Sequence, residues 1–389
     1  MAKCKLLAPA NAFMELPGRR MKADGIAALI DTVAAPRQGE RVLFLTDYPE
    51  GKMDSRRMGR QELVNRWYEA AALLSQKKGC NLLPLVRYRE TGKNNADLPK
   101  TAATQGGGYV DNLAELVASA NVVVAMNEFS ATAPLRNIAA AAGSLRVISM
   151  PGVSADMEPA MSTDYKKIED RGRRLLATIK SATGFEITFD GSKIPRGTKL
   201  HVDTRANNWI LDSGMCHNAG EFINFPSGEL FTPPYEGVSP EGRRELGDSK
   251  TSGIWPVYSY SDQKVAFLKI EKNRIVRVQG DSEEAARIID DIAKDENAAN
   301  VAELAFGLNE KARAGEFVPV LEKEKAGPHL AYGRNDHFGT PLTLAGKVKA
   351  NVHVDYVYTR DTPITATIFA IYPNGNRILI AERGKVVAV

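Results

Sequence analysis

The chain has 389 residues, and 51 lysine and arginine residues against 47 aspartate and glutamate residues give a net charge of +4. Charged residues account for 25% and hydrophobic residues for 43%, which is typical of a globular protein and too apolar for a disordered one. The charge is small and spread along the chain, and no apolar run approaches the roughly 18 residues of a membrane span. We therefore expect no nucleic-acid partner and no membrane partner.

The cysteines and the N-terminal residues bear on the compartment. Cys4, Cys80 and Cys216 show no regular spacing and leave one cysteine over, which favours reduced thiols. The N-terminal residues lack the sustained apolar core of a secretory signal. Both observations predict a cytoplasmic protein.

In the first half of the chain, short apolar segments alternate with helical patterns. Arg41–Thr46 has the pattern of a buried strand, and apolar residues at helical spacing follow it. Further strand-like segments lie between helical stretches at 81–86, 121–126 and 145–150. A long amphipathic helix is predicted over 162–183. Strands separated by helices indicate a parallel, doubly wound sheet, so we predict a Rossmann-like α/β domain over residues 1–185.

From residue 186 onward the pattern changes to short segments in which polar and apolar residues alternate. These segments are 199–203, 265–270, 274–278, 365–371 and 377–380. Such alternation is typical of antiparallel strands, and Glu271–Asn273 is a plausible hairpin turn between two of them. We predict an α+β domain over residues 186–389, and the candidate metal-binding residues fall within it.

The histidines are unevenly distributed. The chain has only five, and His329, His337 and His353 fall within 25 residues of one another. His353 and Asp355 are two positions apart on a predicted strand whose opposite face is apolar, so both side chains project from one face. A buried polar pair of this kind needs a compensating partner such as a metal ion.

Further polar residues in apolar segments extend this candidate site. Glu303 and Glu229 are isolated carboxylates in otherwise apolar or turn-rich stretches, and His329 lies on a short predicted strand. A lone buried glutamate requires a cation, a proton or a hydrogen-bond network. With His353 and Asp355 these residues form a mixed oxygen and nitrogen donor set, which suits Zn, Mn, Co or Fe and is large enough for two metals.

These residues resemble the metalloaminopeptidases of the aminopeptidase T/S type, also called thermophilic-type leucyl aminopeptidases. The similarity extends over most of the chain in an ordered set of motifs: Gly39–Asp47, Ser149–Val153, Gly197–Leu200, Asn224–Pro234, Glu303–Asn309, Gly327–Gly333 and His353–Asp355. The resemblance implies a two-metal site, an aminopeptidase reaction and a homodimer. It also implies the metal ligands, which here are Glu229, Glu303, His329, His353 and Asp355.

The chain departs from this family at two places. The tyrosine expected several residues after the first histidine is not found, because Asp336 and His337 occupy that loop and Tyr332 comes too early. Gly228 stands where the best-characterised peptidases have a second glutamate beside the ligand. Both departures weaken the aminopeptidase assignment more than they weaken the assignment of the metal ligands.

A relative with the same fold, dihydroxypyridine dioxygenase, offers a second interpretation. It uses a single Fe(II) held by two histidines and one aspartate, and His329, His353 and Asp355 form such a set here. That relative has a histidine near the position of Glu303, whereas this chain keeps an acidic residue. The retained carboxylate favours hydrolysis over oxygenation.

The leading hypothesis is therefore a metal-dependent hydrolase, an aminopeptidase that removes N-terminal residues with two divalent ions such as Zn, Co or Mn. Its substrate would be a small peptide or another small molecule, and the metals would polarise the scissile carbonyl. His337, Asp336 and Glu236 are the candidate proton shuttles, and the sequence does not choose among them. The altered loop over 334–339 motivates a third hypothesis, a non-catalytic or specialised biosynthetic descendant.

Overall fold

The computed structural model describes residues 20–237, 246–339 and 343–388. Within these ranges the helices are α1 (Ala23–Ala34), α2 (Ser55–Lys78), α3 (Leu113–Ala118), α4 (Thr132–Ala142), α5 (Glu158–Met161), α6 (Tyr165–Ile179), α7 (Glu283–Lys294) and α8 (Val320–Lys323). Short 3₁₀ turns lie at Ala155–Met157, Glu296–Ala299 and Glu324–Ala326.

The strands of the first half and the middle of the chain are β1 (Arg41–Tyr48), β2 (Asn81–Leu82), β3 (Val86–Arg89), β4 (Ala102–Thr104), β5 (Tyr109–Val110), β6 (Val122–Ala125), β7 (Arg146–Ser149), β8 (Gly184–Asp190), β9 (Lys199–Asp203), β10 (Ile210–Asp212), β11 (Phe222–Asn224) and β12 (Glu229–Thr232). The later strands are β13 (Ser252–Ser259), β14 (Lys264–Glu271), β15 (Arg274–Gln279), β16 (Val301–Gly307), β17 (Pro328–Gly333), β18 (His353–Val357), β19 (Thr365–Ile371), β20 (Arg377–Glu382) and β21 (Lys385–Val386).

The first sheet is mainly parallel. Among the described residues its strand order is β11-β7-β6-β1-β3-β4-β5, with β2 beside β1. The pairs from β11 to β3 run parallel, whereas β4 is antiparallel to both β3 and β5. Strands β6 and β7 are buried along their whole length because α1 and α2 pack on one face of the sheet and α3 and α4 on the other.

Two antiparallel sheets form the rest of the described structure. One has the order β10-β12-β16-β17-β18, and its central strand β16 is buried at every residue. The other has the order β15-β14-β13-β9-β8-β19-β20-β21. The turn between β14 and β15 has positive φ at Lys272 (48°) and Asn273 (67°), the backbone that a tight hairpin turn requires. This confirms the hairpin predicted at that place.

The coarse prediction of the fold is confirmed, since a sheet with parallel strands in the first half is followed by antiparallel sheets. Two details differ from the expectation. The strand predicted over 81–86 is divided into β2 and β3, because Pro84 cannot donate a ladder hydrogen bond. Strand β11 lies beyond residue 185 but pairs with β7, so the second half of the chain contributes an edge strand to the first sheet.

Two further expectations can be compared with the structure. Cys80 and Cys216 are buried free thiols, and Cys4 lies outside the described residues. In the part of the chain that the structure describes, none of the helices combines the length and the apolar character needed to cross a membrane.

Candidate metal centre

The predicted metal ligands lie on one face of the five-stranded sheet. Glu303 in β16 is opposite Ala331 in β17, and Ala331 is opposite Asp355 in β18. Directly opposed residues, and every second residue along a strand, project from the same face of a sheet. By the same register that face carries all five residues: Glu229, Glu303, His329, His353 and Asp355.

These side chains form two clusters that share Glu303. In the first, Nε2 of His353 lies 3.2 Å from Oε2 of Glu303 and 3.5 Å from Oδ1 of Asp355. In the second, Nε2 of His329 lies 3.6 Å from Oε1 of Glu303 and 3.6 Å from Oε2 of Glu229. Within each cluster the potential donor atoms all lie within 4.8 Å of one another, which is compatible with a shared metal ion.

The orientation of both imidazole rings suits metal binding. Nδ1 of His353 lies 2.6 Å from the carbonyl oxygen of Arg334, and Nδ1 of His329 lies 3.2 Å from that of Gly327. A ring nitrogen that donates to a carbonyl carries the hydrogen, so the lone pair of the neutral ring resides on Nε2. In both residues Nε2 is the atom that faces the carboxylates.

The carboxylates give the centre a negative potential. Burial opposes protonation of His329, but Glu303 and Glu229 outweigh it and raise its pKa to about 9. Burial is likewise outweighed at His353, where Asp355 and Glu303 raise the pKa well above its usual value. The two histidines in turn hold the pKa of Glu303 below its ordinary value, against the effect of burial. A site that favours protonated imidazoles in this way also attracts a divalent cation.

A buried lysine contacts the second cluster and was not predicted. Nζ of Lys325 lies 2.5 Å from Oε1 of Glu229 and 2.8 Å from Oε1 of Glu324, and its side chain is fully buried. Burial acts to raise the pKa of Glu229 to about 8, with Lys325 opposing it. The ion pair with Lys325 favours the ionised form of Glu229, in opposition to burial. Oε2 of Glu229 is buried without a hydrogen-bond partner, so one donor atom remains free for a cation.

The two histidines of the set that the dioxygenase interpretation predicted, His329, His353 and Asp355, belong to different donor clusters in the described residues. In the described residues, His329 falls in the cluster with Glu229, and His353 falls in the cluster with Asp355. The reason is the sheet register, in which His329 is opposite Val357 while Gly333 is opposite His353. Each cluster therefore combines one histidine with two carboxylates.

Glu236, one of the three candidate proton shuttles, is held by hydrogen bonds from a neighbouring loop. Its Oε1 accepts hydrogen bonds from Nδ2 of Asn335 (2.8 Å) and from the backbone N–H groups of Gly346 (2.9 Å) and Lys347 (3.2 Å). Burial raises the pKa of Glu236, and these bonds partly offset that effect. The carboxylate connects the segment after β12 to the loop that follows β17, which contains Asp336 and His337.

Asp336 and His337 differ in their access to the centre. Asp336 is paired with Arg334 at 2.5 Å, and its Oδ1 lies 3.9 Å from Nδ1 of His337. Burial lowers the pKa of His337, although Asp336 opposes the shift, so its imidazole is neutral near pH 7. The ring of His337 lies 5.5 Å from the ring of His353, measured between centroids. His337 is thus the candidate shuttle with a neutral side chain beside the candidate metal site.

The two departures from the aminopeptidase pattern have structural counterparts. The hydroxyl of Tyr332 donates to Asp291 at 2.7 Å, on the sheet face opposite to the metal ligands. Gly228 has φ of 118°, and a Cβ atom there would lie 2.9 Å from Cδ1 of Ile168. A glutamate at position 228 would therefore require a different local backbone.

A cavity of about 1520 Å³ opens beside the centre. Its lining includes Glu303 and His353, together with Phe129 from the first half of the chain. The rings of Phe231 and Phe338 also line it and lie 4.9 Å apart between centroids, with Phe338 5.7 Å from the ring of His353. This volume accommodates either a small aromatic molecule or a short peptide.

Comparison with known proteins bears on the two interpretations. Residues 37–356 match the family described as NicX, 2,5-dihydroxypyridine 5,6-dioxygenase. The chain belongs to this family. The match ends within β18, at residue 356, and so includes all five candidate ligands. No curated protein sequence matches the chain.

Two solved structures share the fold of this NicX-family chain. One is the 2,5-dihydroxypyridine dioxygenase of Pseudomonas putida KT2440, with a TM-score of 0.60 and 17% identity, covering 95% of this chain and 99% of the other. The second is wild-type AmpT of Thermus thermophilus, with a TM-score of 0.57 and 15% identity, covering 94% and 98%. At these identities the similarities establish the fold, and they support the fold relation on which the aminopeptidase resemblance depended. They do not distinguish an aminopeptidase from a dioxygenase.

Proposed function

We propose that this chain is a metal-dependent dioxygenase that opens a hydroxylated, nitrogen-containing aromatic ring. The family match over residues 37–356 carries the proposal, because it spans the whole candidate centre. The family's description names 2,5-dihydroxypyridine and the bond between ring carbons 5 and 6. In a reaction of this class both atoms of O₂ enter the product and one ring bond breaks, so no external reductant is needed.

Glu303, His353 and Asp355 are the residues that would hold the metal. Their oxygen and nitrogen donors suit Fe(II), and Glu303 and His353 line the cavity. When bound, the iron would bring dioxygen and a hydroxyl oxygen of the substrate together and activate them. The excess of carboxylates, which raises the pKa of His353, supports binding of a cation at this place.

The residues around the cavity support an aromatic substrate. Phe231 and Phe338 form an aromatic wall, and the ring of His337 lies 3.9 Å from that of Phe338 between centroids. A flat ring packs well against such side chains in offset or edge-to-face geometry. We propose that this wall orients the substrate ring, and that burial against it excludes water from the reacting bond.

His337 is the proposed proton acceptor. Its imidazole is neutral near pH 7 because burial lowers its pKa. Nδ1 faces Asp336, so Nε2 is the nitrogen that would take the proton from a substrate hydroxyl. Removal of this proton makes the ring more electron-rich, and oxidative cleavage requires an electron-rich ring.

Oxygen consumption with 2,5-dihydroxypyridine tests the proposal. The protein is stripped of metal, loaded anaerobically with Fe(II) and mixed with substrate and ¹⁸O₂, and we expect both labelled atoms in a ring-opened product. Asp355→Asn should abolish uptake, whereas Asp361→Asn, a matched change on an exposed residue beyond the same strand, should not. Absence of oxygen uptake by the iron-loaded protein with a panel of hydroxypyridines would refute the assignment.

A two-metal aminopeptidase is the second candidate, and the position of Glu303 favours it. The two oxygens of Glu303 face different clusters, which is how a carboxylate bridges two ions. The test is hydrolysis of aminoacyl chromogenic substrates after loading with Zn, Co or Mn. Hydrolysis that is lost in Glu303→Ala, together with no oxygen uptake, would replace the dioxygenase proposal. The homodimer implied by the resemblance stays a prediction, which light scattering would test.

A further inference from the structure

Lys325 is a fully buried lysine whose ammonium lies between two carboxylates at the edge of the metal centre. Nζ is 2.5 Å from Oε1 of Glu229 and 2.8 Å from Oε1 of Glu324. Burying an ammonium is unfavourable unless close anions compensate, so this placement depends on the carboxylates beside it. Among the described residues, the carboxylates of the candidate metal ligands form ion pairs with histidines, and Glu229 also forms one with Lys325.

The backbone around Lys325 holds the ammonium in this position. Its carbonyl oxygen accepts a hydrogen bond from the N–H of Asn309 at 3.0 Å. Gly307 of β16 packs so closely that a Cβ atom there would lie 2.4 Å from the carbonyl carbon of Lys325. The residue is therefore fixed against the central strand of the sheet, and its side chain has little freedom to leave Glu229.

Lys325 affects the two clusters unequally. It occupies Oε1 of Glu229, so this carboxylate can offer only its unpartnered Oε2 to a metal ion. An ion at that oxygen would be separated from the ammonium by a single carboxylate group, and the two positive charges would repel each other. By contrast, the ion pairs of Glu303 and Asp355 in the described structure involve histidines alone.

We infer that Lys325 makes the centre asymmetric, so that it holds one divalent ion tightly at Glu303, His353 and Asp355 and a second ion at Glu229 only weakly. This inference rests on the metal centre of the proposed function and specifies its stoichiometry. Lys325 acts as a positioning residue that orients Glu229 and lowers its affinity for metal. The tightly held ion would then lie at Glu303 and His353, which both line the cavity, and at Asp355.

A titration with Co²⁺ tests the inference without turnover. Metal-free protein is titrated by calorimetry, and the cobalt retained after gel filtration is measured per chain. We expect one retained ion for the wild-type protein and for Lys325→Arg, which keeps the charge. Lys325→Met should retain a second ion, with affinity at the second site tighter by about 10- to 100-fold, because the positive charge that repels that ion is removed. Two retained ions in the wild-type protein, or an unchanged second site in Lys325→Met, would overturn the inference.

A second pair of variants keeps the inference falsifiable if Lys325→Met does not fold. Glu229→Gln should leave the tightly held cobalt in place, whereas Asp355→Asn should release it. Loss of the tight ion in Glu229→Gln would show that the two clusters act together and would refute the inference. A protein that holds one ion but opens no ring would refute the proposed function and leave this inference standing.

Discussion

Substitutions of Glu236 separate a positioning role for this carboxylate from the proton-transfer role that the sequence suggested. Oε1 of Glu236 accepts three hydrogen bonds, from the side chain of Asn335 and from the backbone of Gly346 and Lys347. Asn335 is fully buried, and its own Oδ1 accepts the N–H of Val348 at 2.8 Å. The carboxylate therefore holds both ends of the loop that carries His337.

The expected magnitude follows from these contacts. Each hydrogen bond to a charged group contributes about 1.5–3 kcal/mol, and some of the donors regain water when the carboxylate is removed. We expect Glu236→Ala to lower the free energy of unfolding by about 2–4 kcal/mol, because at least one buried donor stays unsatisfied. Glu236→Gln keeps an oxygen in the same place and should cost about 1 kcal/mol. Urea unfolding of the metal-loaded protein measures both, with Glu271→Gln on an exposed strand end as the control.

Activity of the glutamine variant decides between the two roles. If Glu236 positions the loop, Glu236→Gln should retain turnover and its pH dependence, while Glu236→Ala loses both stability and turnover. A glutamine variant that folds as well as the wild-type protein but turns over about 100-fold or more slowly would identify a proton-transfer group and refute the positioning argument.

Three further predictions concern the ligands and the backbone beside them. Glu303→Gln should remove bound metal altogether, because Glu303 belongs to both clusters; metal analysis that still finds an ion would contradict this. Gly228→Ala should lower stability by about 1–3 kcal/mol in urea unfolding, because φ is positive and Cδ1 of Ile168 lies 2.9 Å from the added Cβ. In the metal-free protein, protonated His329 should add up to about 3 kcal/mol of stability below pH 6.5, lost as the pH rises through its folded pKa of about 9. Urea unfolding across this range should show the decline in the wild-type protein and not in His329→Gln.

The clustering of the candidate ligands was predictable because local pattern and burial coincide there. His353 and Asp355 are two residues apart on a strand, and the period of two places them on one face whatever the tertiary structure. Glu303 is a single carboxylate in an apolar strand, which marks it as a residue that needs a partner. Which histidine joins which carboxylate depends on the pairing of β16, β17 and β18, and a sequence does not specify that register.

Other residues gave no local signal of their role. Lys325 stands in a run of alternating acidic and basic residues over 322–325, which is typical of a solvated turn, yet its side chain is fully buried. Glu236 follows two prolines and has the sequence context of a loop residue, and its three donors come from about 100 residues further along the chain. Strand β11 pairs with β7 across more than 70 residues, and short edge strands carry too little hydrophobic pattern to predict such a pairing.

The sheet face described above has the side chains for two chemistries, and the number of cations it holds decides between them. A two-ion centre would be held by both clusters, which share Glu303, and would supply the activated water that hydrolysis requires. A one-ion centre would be held by Glu303, His353 and Asp355 and would supply dioxygen activation beside the cavity that Glu303 and His353 line. A positive charge fixed at Glu229 favours the second case, because it repels the ion that a bridging site needs. Lys325 belongs to no metal-binding motif, yet like the candidate ligands it influences whether the centre holds one ion or two.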